Sequence, residues 1–161
     1  MEKIYIGKIV NTHGIKGEIR IISDFDYKEK AFKIGSKIYI DDEEHIIKSY
    51  RRHKNFEMIT IDEYTNINDV LKFMKRKVYK DKNDLHLDND EVLDSDLLKY
   101  KVIDKNNNSG IIKEIFYASP TNKVLRVMFE KEILIPMKSN MIKRIDKEKE
   151  LVEIELIDGM M

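Results

Sequence analysis

The sequence predicts an all-β protein built from two small β-barrels, on three observations. Apolar residues recur at every second position in short runs, and turn-forming residues interrupt those runs at near-regular spacing. A single stretch, in the N-terminal half, carries the three-to-four-residue period of a helix. Short strands with one helix favour closure into a barrel, because closure removes exposed sheet edges.

The first half supplies most of the strands. Residues 3–10 alternate, with Ile4, Ile6 and Val10 on one face, and residues 18–23 follow with Ile19 and Ile21. Residues 26–32 are polar with Tyr27, Ala31 and Phe32 interspersed, which suits one helical turn. Gly35 then opens a strand over 37–40, and Asp41-Asp42-Glu43-Glu44 is a charged hairpin turn into a strand over 45–51. Residues 56–62 alternate Phe56, Met58 and Thr60 against Glu57, Ile59 and Ile61. Thr65 is placed to cap a helix whose apolar face is Ile67, Val70, Leu71 and Met74, with basic residues crowding its last turn. A strand around Val78-Tyr79 completes the half. In the second half, strands are expected over 99–104, 110–118, 124–129, 132–135, 141–146 and 151–156. Their loops include the Asn-rich 105–109 and the hairpin Lys147-Glu148-Lys149.

Composition narrows the class. Of 161 residues, 42% are hydrophobic and 37% charged, too apolar for a disordered chain and too interrupted for a membrane protein. The N-terminus enters a strand pattern without a signal-peptide core, and there is no cysteine to build disulfides or thiolate metal sites. These features place the protein in the cytoplasm. The net charge of +0 conceals a division: residues 1–83 hold 18 Lys+Arg against 14 Asp+Glu, a net of +4, and the remainder a net of −4. Residues 84–94 contain five acids and no Lys or Arg, which reads as a linker between domains 1–83 and 95–161.

Catalytic templates are missing. No glycine pattern forms a phosphate-cradling or dinucleotide loop, no nucleophile elbow is present, and His13, His45, His53 and His86 lack metal-ligand spacing. The turn His13-Gly14-Ile15-Lys16-Gly17 stands out, with Arg20 on the strand beyond it. Its glycines free the backbone for conformations closed to other residues. It suits a cationic contact for phosphate, and it equally suits a tight barrel corner whose histidine caps a carbonyl. Arg51-Arg52-His53-Lys54 reads as a second basic loop. Two basic loops on one small barrel point to nucleic acid, since phosphate neutralisation supplies sequence-independent affinity. Nearby aromatics are few, Tyr50 and Phe56, which favours docking on structured RNA backbone over base stacking. The acidic second half suits a basic protein partner.

Residues 7–20, Gly-Lys-Ile-Val-Asn-Thr-His-Gly-Ile-Lys-Gly-Glu-Ile-Arg, resemble the opening signature of the RimM family of ribosome maturation factors. Gly35-Ser36, the stretch Asn122-Lys123-Val124-Leu125-Arg126-Val127, Leu134-Ile135-Pro136, Asp146 and the closing Asp158-Gly159-Met160-Met161 are similar to later positions of that family, in the same order. The resemblance implies an N-terminal six-stranded barrel like those of translation factors and a C-terminal PRC-type barrel. It implies a non-catalytic, monomeric assembly factor for the small (30S) ribosomal subunit's head. The partners would be 16S rRNA in immature subunits and the nineteenth protein of the small-subunit series, with no cofactor, metal, membrane or small-molecule substrate. RNA contact is then expected at His13, Gly14, Lys16, Gly17, Arg20, Arg51, Arg52 and Lys54. Protein contact is expected at Val92, Leu93, Asp96, Leu97, Tyr117, Asn122 and Pro136. One departure stands out: Val92 and Leu93 occupy positions where the family usually has paired tyrosines, and Asp96-Leu97-Leu98-Lys99 lacks the glycine of the usual Asp-Leu-Ile-Gly. An RNA-binding accessory module without ribosome specificity is the alternative, and an rRNA-modifying enzyme a distant third for want of any cofactor or nucleophile motif.

Overall fold

A computed structural model describes residues 1–156; the Asp158-Gly159-Met160-Met161 resemblance lies outside the described residues. The chain divides into two units, Met1–His86 and Leu87–Met161. The class is all-β, as the alternation predicts.

In the first unit the strands are β1 (Lys3–His13), β2 (Glu18–Ile22), β3 (Lys37–Ile40), β4 (Glu43–His53), β5 (Phe56–Ile61) and β6 (Lys77–Asp81). They close into a barrel in the order β1-β2-β5-β4-β3-β6, with β6 pairing antiparallel to β1. Ile19, Ile21, Ile38, Ile40, Ile47, Ile59 and Ile61 are fully buried, the apolar set that alternation delivers to one face. The phase of β1 is not a simple alternation, however. Irregularities between Tyr5 and Gly7 and between Ile9 and Asn11 shift the register. As a result Ile6 and Ile9, not Ile4 and Val10, are the buried residues of that strand's apolar set.

The helix expected over the periodic stretch is much shorter than its pattern. It spans Ile67–Val70 and tightens at once into a 3-10 turn, Leu71–Phe73. Asn66, not Thr65, caps it by accepting from the Asn68 N–H at 2.9 Å. Met74 is extended and Lys75 has φ of 66°, so helical geometry cannot continue. The buried face is therefore Val70 and Phe73, three residues apart as a 3-10 turn requires, while Leu71 is exposed. A one-turn helix at Lys28–Ala31 precedes β3 and buries Ala31 and the following Phe32.

Lys80 on β6 is fully buried. Its ammonium donates to Ser36 Oγ (2.6 Å) and to the Lys37 carbonyl (2.9 Å). Burial pushes its pKa down to about 8, against a small opposing pull from Asp84. Above pH 8 the folded chain releases this proton while the unfolded chain retains it up to its ordinary lysine value. Stability of the first unit is therefore expected to rise with pH from about 8 to about 10, by at most about 1.4 kcal/mol per pH unit. Above that window the trend reverses, because Tyr50 is held neutral in the fold by burial and by Glu57, its pKa pushed up to about 12. Urea unfolding at a series of pH values checks this, and Lys80→Met should abolish the rise below pH 10.

The second unit opens on a short helix, Asp94–Leu97, followed by β7 (Lys101–Ile103), β8 (Ser109–Ser119), β9 (Asn122–Met128), β10 (Glu132–Pro136), β11 (Ile142–Asp146) and β12 (Leu151–Ile154). These form a six-stranded sheet in the order β10-β9-β8-β7-β12-β11, antiparallel except for the parallel pair β7–β12. Its core gathers Val92, Leu97, Tyr100, Val102, Leu125, Val127, Ile135 and Val152. Leu85, Val92 and Leu93 are buried, so apolar residues of the acidic 84–94 stretch are packed while its acids stay exposed or half-buried.

Candidate nucleic-acid interface on the first unit

Barrel closure decides which basic residues meet. In the order β1-β2-β5-β4, Arg20 stands opposite Met58, and Met58 opposite Arg51. Residues in direct register share a face, so Arg20, Met58 and Arg51 line one face of the barrel wall. Ile21 and Glu57 share the opposite face, where Ile21 is fully buried. The wall presents a cationic cluster. His13 Nδ1 lies 2.9 Å from an Arg20 guanidinium nitrogen. The His13 and His53 rings are 5.6 Å apart. The Arg20 guanidinium lies 5.1 Å from the Phe56 ring centre, and its Nε is buried without a hydrogen-bond partner among the described residues.

Arg51 is already engaged. Its Nε and a terminal nitrogen donate to the two carboxylate oxygens of Glu18 at 2.9 and 2.7 Å. That bidentate bond, with the nearby His13 and His53, holds the Glu18 carboxyl below its ordinary range despite partial burial. His53 is shifted away from its charged form. Burial lowers its pKa first, and Arg51, Lys54, His13 and Arg20 each push it further down.

The stretch expected as a second basic loop is strand through His53. Its turn is only Lys54 and Asn55, both left-handed at φ 50° and 67°. Successive strand residues face opposite ways, so Arg51 and Arg52 cannot share a surface. Arg52 instead lies 3.3 Å from Glu57, a fully buried carboxylate that also accepts from the Tyr50 hydroxyl at 3.0 Å. Lys54 is exposed at the hairpin tip. The signal for His53 was in the sequence, but its meeting with His13, forty residues earlier, depends on barrel order.

The glycine turn has a packing role of its own. The Ile15 carbonyl accepts from the Ile67 N–H at 2.9 Å, tying the tip to the start of the helix. A Cβ on Gly17 would stand 3.0 Å from the Tyr64 carbonyl oxygen and 3.2 Å from the Asn66 nitrogen, at a φ of +87°. Gly17→Ala is thus expected to destabilise by about 2–3 kcal/mol, combining left-handed strain with the tight backbone contact. Gly14, with φ of +68° and open space around it, should cost only about 1–2 kcal/mol on the same change. Thermal unfolding of the two variants side by side checks the difference. Lys16 and Ile15 remain exposed at the tip.

Among the protein-contact candidates, Val92 and Leu97 belong to the second unit's core and Leu93 is buried. Tyr117 is exposed, Asn122 and Pro136 are half-buried, and Asp96 sits in the short helix. The Lys123 ammonium lies 5.4 Å from the Tyr117 ring centre and pairs with Asp94 at 2.8 Å. Elsewhere on the same sheet, Leu134 and Ile111 are exposed, and Arg126 bridges Glu114 and Glu132. Among the described residues there is no group of three or more histidine or carboxylate side chains arranged to hold a metal, and no helix long and apolar enough to cross a membrane.

The model of the RimM N-terminal domain matches residues 4–85. The ribosome maturation factor RimM of Ligilactobacillus salivarius is 39% identical over 163 residues, spanning 96% of this chain and 96% of its own. That of Staphylococcus haemolyticus is 34% identical over 166 residues, spanning 99% of both. The solved N-terminal domain of RimM from Thermus thermophilus aligns at a TM-score of 0.48 and 16% identity, covering 54% of this chain and 98% of that domain.

Proposed function

The chain belongs to the RimM family of ribosome maturation factors, and from that membership we propose that it assists assembly of the small ribosomal subunit's head by binding, without catalysis. The first domain, 1–83, lies against 16S rRNA of the immature subunit. The second, 95–161, takes a basic head ribosomal protein, the nineteenth of the small-subunit series, and the acidic stretch 84–94 joins the two. The protein acts as a cytoplasmic monomer and needs no cofactor, metal or small-molecule substrate.

The observation that carries the RNA reading is the basic cluster of Arg20 and Lys54 with the His13 and His53 rings, whose nearby carboxylate, Glu18, is held by Arg51. A wall carrying more positive than negative groups is what phosphate backbone selects. For the protein partner, the exposed Tyr117 and Leu134 offer apolar area beside charged groups, in a net-negative half.

Co-sedimentation with lysate fractions enriched in immature small subunits tests the reading. Retention by immature but not mature subunits is the expected result. Equal retention by unrelated structured RNA, lost steeply with salt, would instead favour the general RNA-binding module.

A further inference from the structure

His53 lies at the centre of the cluster and is flanked by charge from the strands around it. His13 faces it from β1, Glu18 and Arg20 from β2, Arg51 from its own strand and Lys54 from the turn. The β5 residue opposite it, Phe56, is uncharged, and Glu57 lies on the other face. Both oxygens of Glu18 accept hydrogen bonds from Arg51. The Arg20 Nε–H, buried, has no acceptor among the described residues.

A group that completes this cluster must be anionic, must accept hydrogen bonds and must carry no proton of its own near neutral pH. A phosphodiester meets all three conditions. Once seated, its charge offsets the repulsion that Arg51, Lys54 and Arg20 add to burial in lowering the His53 pKa, so the imidazole gains affinity for a proton from solvent. We propose that His13, Arg20, His53 and Lys54 form a phosphodiester site whose occupation draws a proton onto His53, making RNA attachment tighter as pH falls. The inference rests on the RNA reading above and adds the groups that grip the phosphate and the proton that accompanies it. Arg51 and Arg52 are the positions it leaves outside the grip, since carboxylates of the protein already hold them.

The test uses the full chain and a fluorescein-labelled transcript of the small-subunit rRNA head, carrying a 5′-hydroxyl so that no terminal phosphate titrates. Affinity is measured at fixed salt between about pH 6 and pH 8, spanning the ordinary histidine range. For the natural chain the dissociation constant should rise by about threefold to tenfold per pH unit, tenfold being the limit for one coupled proton. His53→Asn, which keeps a polar side chain and removes the titration, should flatten the dependence. Circular dichroism confirms that the variant is folded. Binding by the natural chain that is flat with pH but steep with salt overturns the proton coupling and leaves the RNA reading standing. An unchanged pH dependence in His53→Asn also overturns it. Failure to bind the transcript at any pH overturns both.

Discussion

Phe32→Ala is expected to lower the stability of the first unit by about 3–5 kcal/mol, the usual range for emptying a fully buried aromatic site. Phe32 follows the short Lys28–Ala31 helix, has no exposed surface and stacks on the Tyr50 ring at 5.6 Å between centres. Tyr50 in turn donates to the buried Glu57 carboxylate at 3.0 Å. Removing the ring thus leaves a cavity close to a buried carboxylate, and water entering there would loosen the Arg52–Glu57 contact as well. A unit of 86 residues has little reserve, and domains of this size commonly retain only about 5 kcal/mol in total. Native-state hydrogen exchange on the β5 amides would read the loss directly. Phe32→Leu, which keeps most of the volume, should cost about 1–1.5 kcal/mol, and an alanine variant that loses less than that would refute the packing account.

The largest functional effect is expected from Lys16→Ala, Arg20→Gln and Lys54→Ala combined. Each cation that neutralises a phosphate contributes about 0.9 to the slope of log affinity against log salt. Removing three should lower the slope by between two and three and weaken binding to small-subunit rRNA by about a hundredfold to a thousandfold at roughly 0.1 M salt. Arg20 is the most informative of the three, since its guanidinium joins His13 to the Phe56 ring. Arg52→Ala serves as the counterpart. Its side chain lies beside Glu57, so its loss should cost stability and leave the salt slope nearly unchanged. A slope that falls equally in both variants would show that the strand face does not sort these arginines.

Local chemistry explains what sequence reading captured. Ile19 and Ile21, or Ile59 and Ile61, declare a strand because the period of two is a property of neighbouring residues. The turns expected at Asp41-Asp42-Glu43-Glu44 and Lys147-Glu148-Lys149 are likewise local events: β3 and β4 pair across Asp41-Asp42, and β11 and β12 across residues 147–150. The short helix stands where its apolar spacing marks it, but it ends early: a 3-10 turn follows, Lys75 is left-handed, and Phe73 packs against His45 and Tyr64. The contact with His45, twenty-eight residues earlier, is not contained in any local pattern.

By itself the sequence determined the all-β class, nearly every strand, the basic character of the first half and the family. Tertiary structure alone decided which of the basic side chains meet. Pairing β2 with β5, and β5 with β4, set Arg20 beside the hairpin of His53, turned Arg52 toward Glu57 and committed Arg51 to Glu18. The physical reason is that strand formation needs only the alternation of adjacent side chains. The meeting of His13 with His53 needs strands far apart in sequence to close a barrel in one register, and a slip of a single residue would turn every one of these cations to the other face.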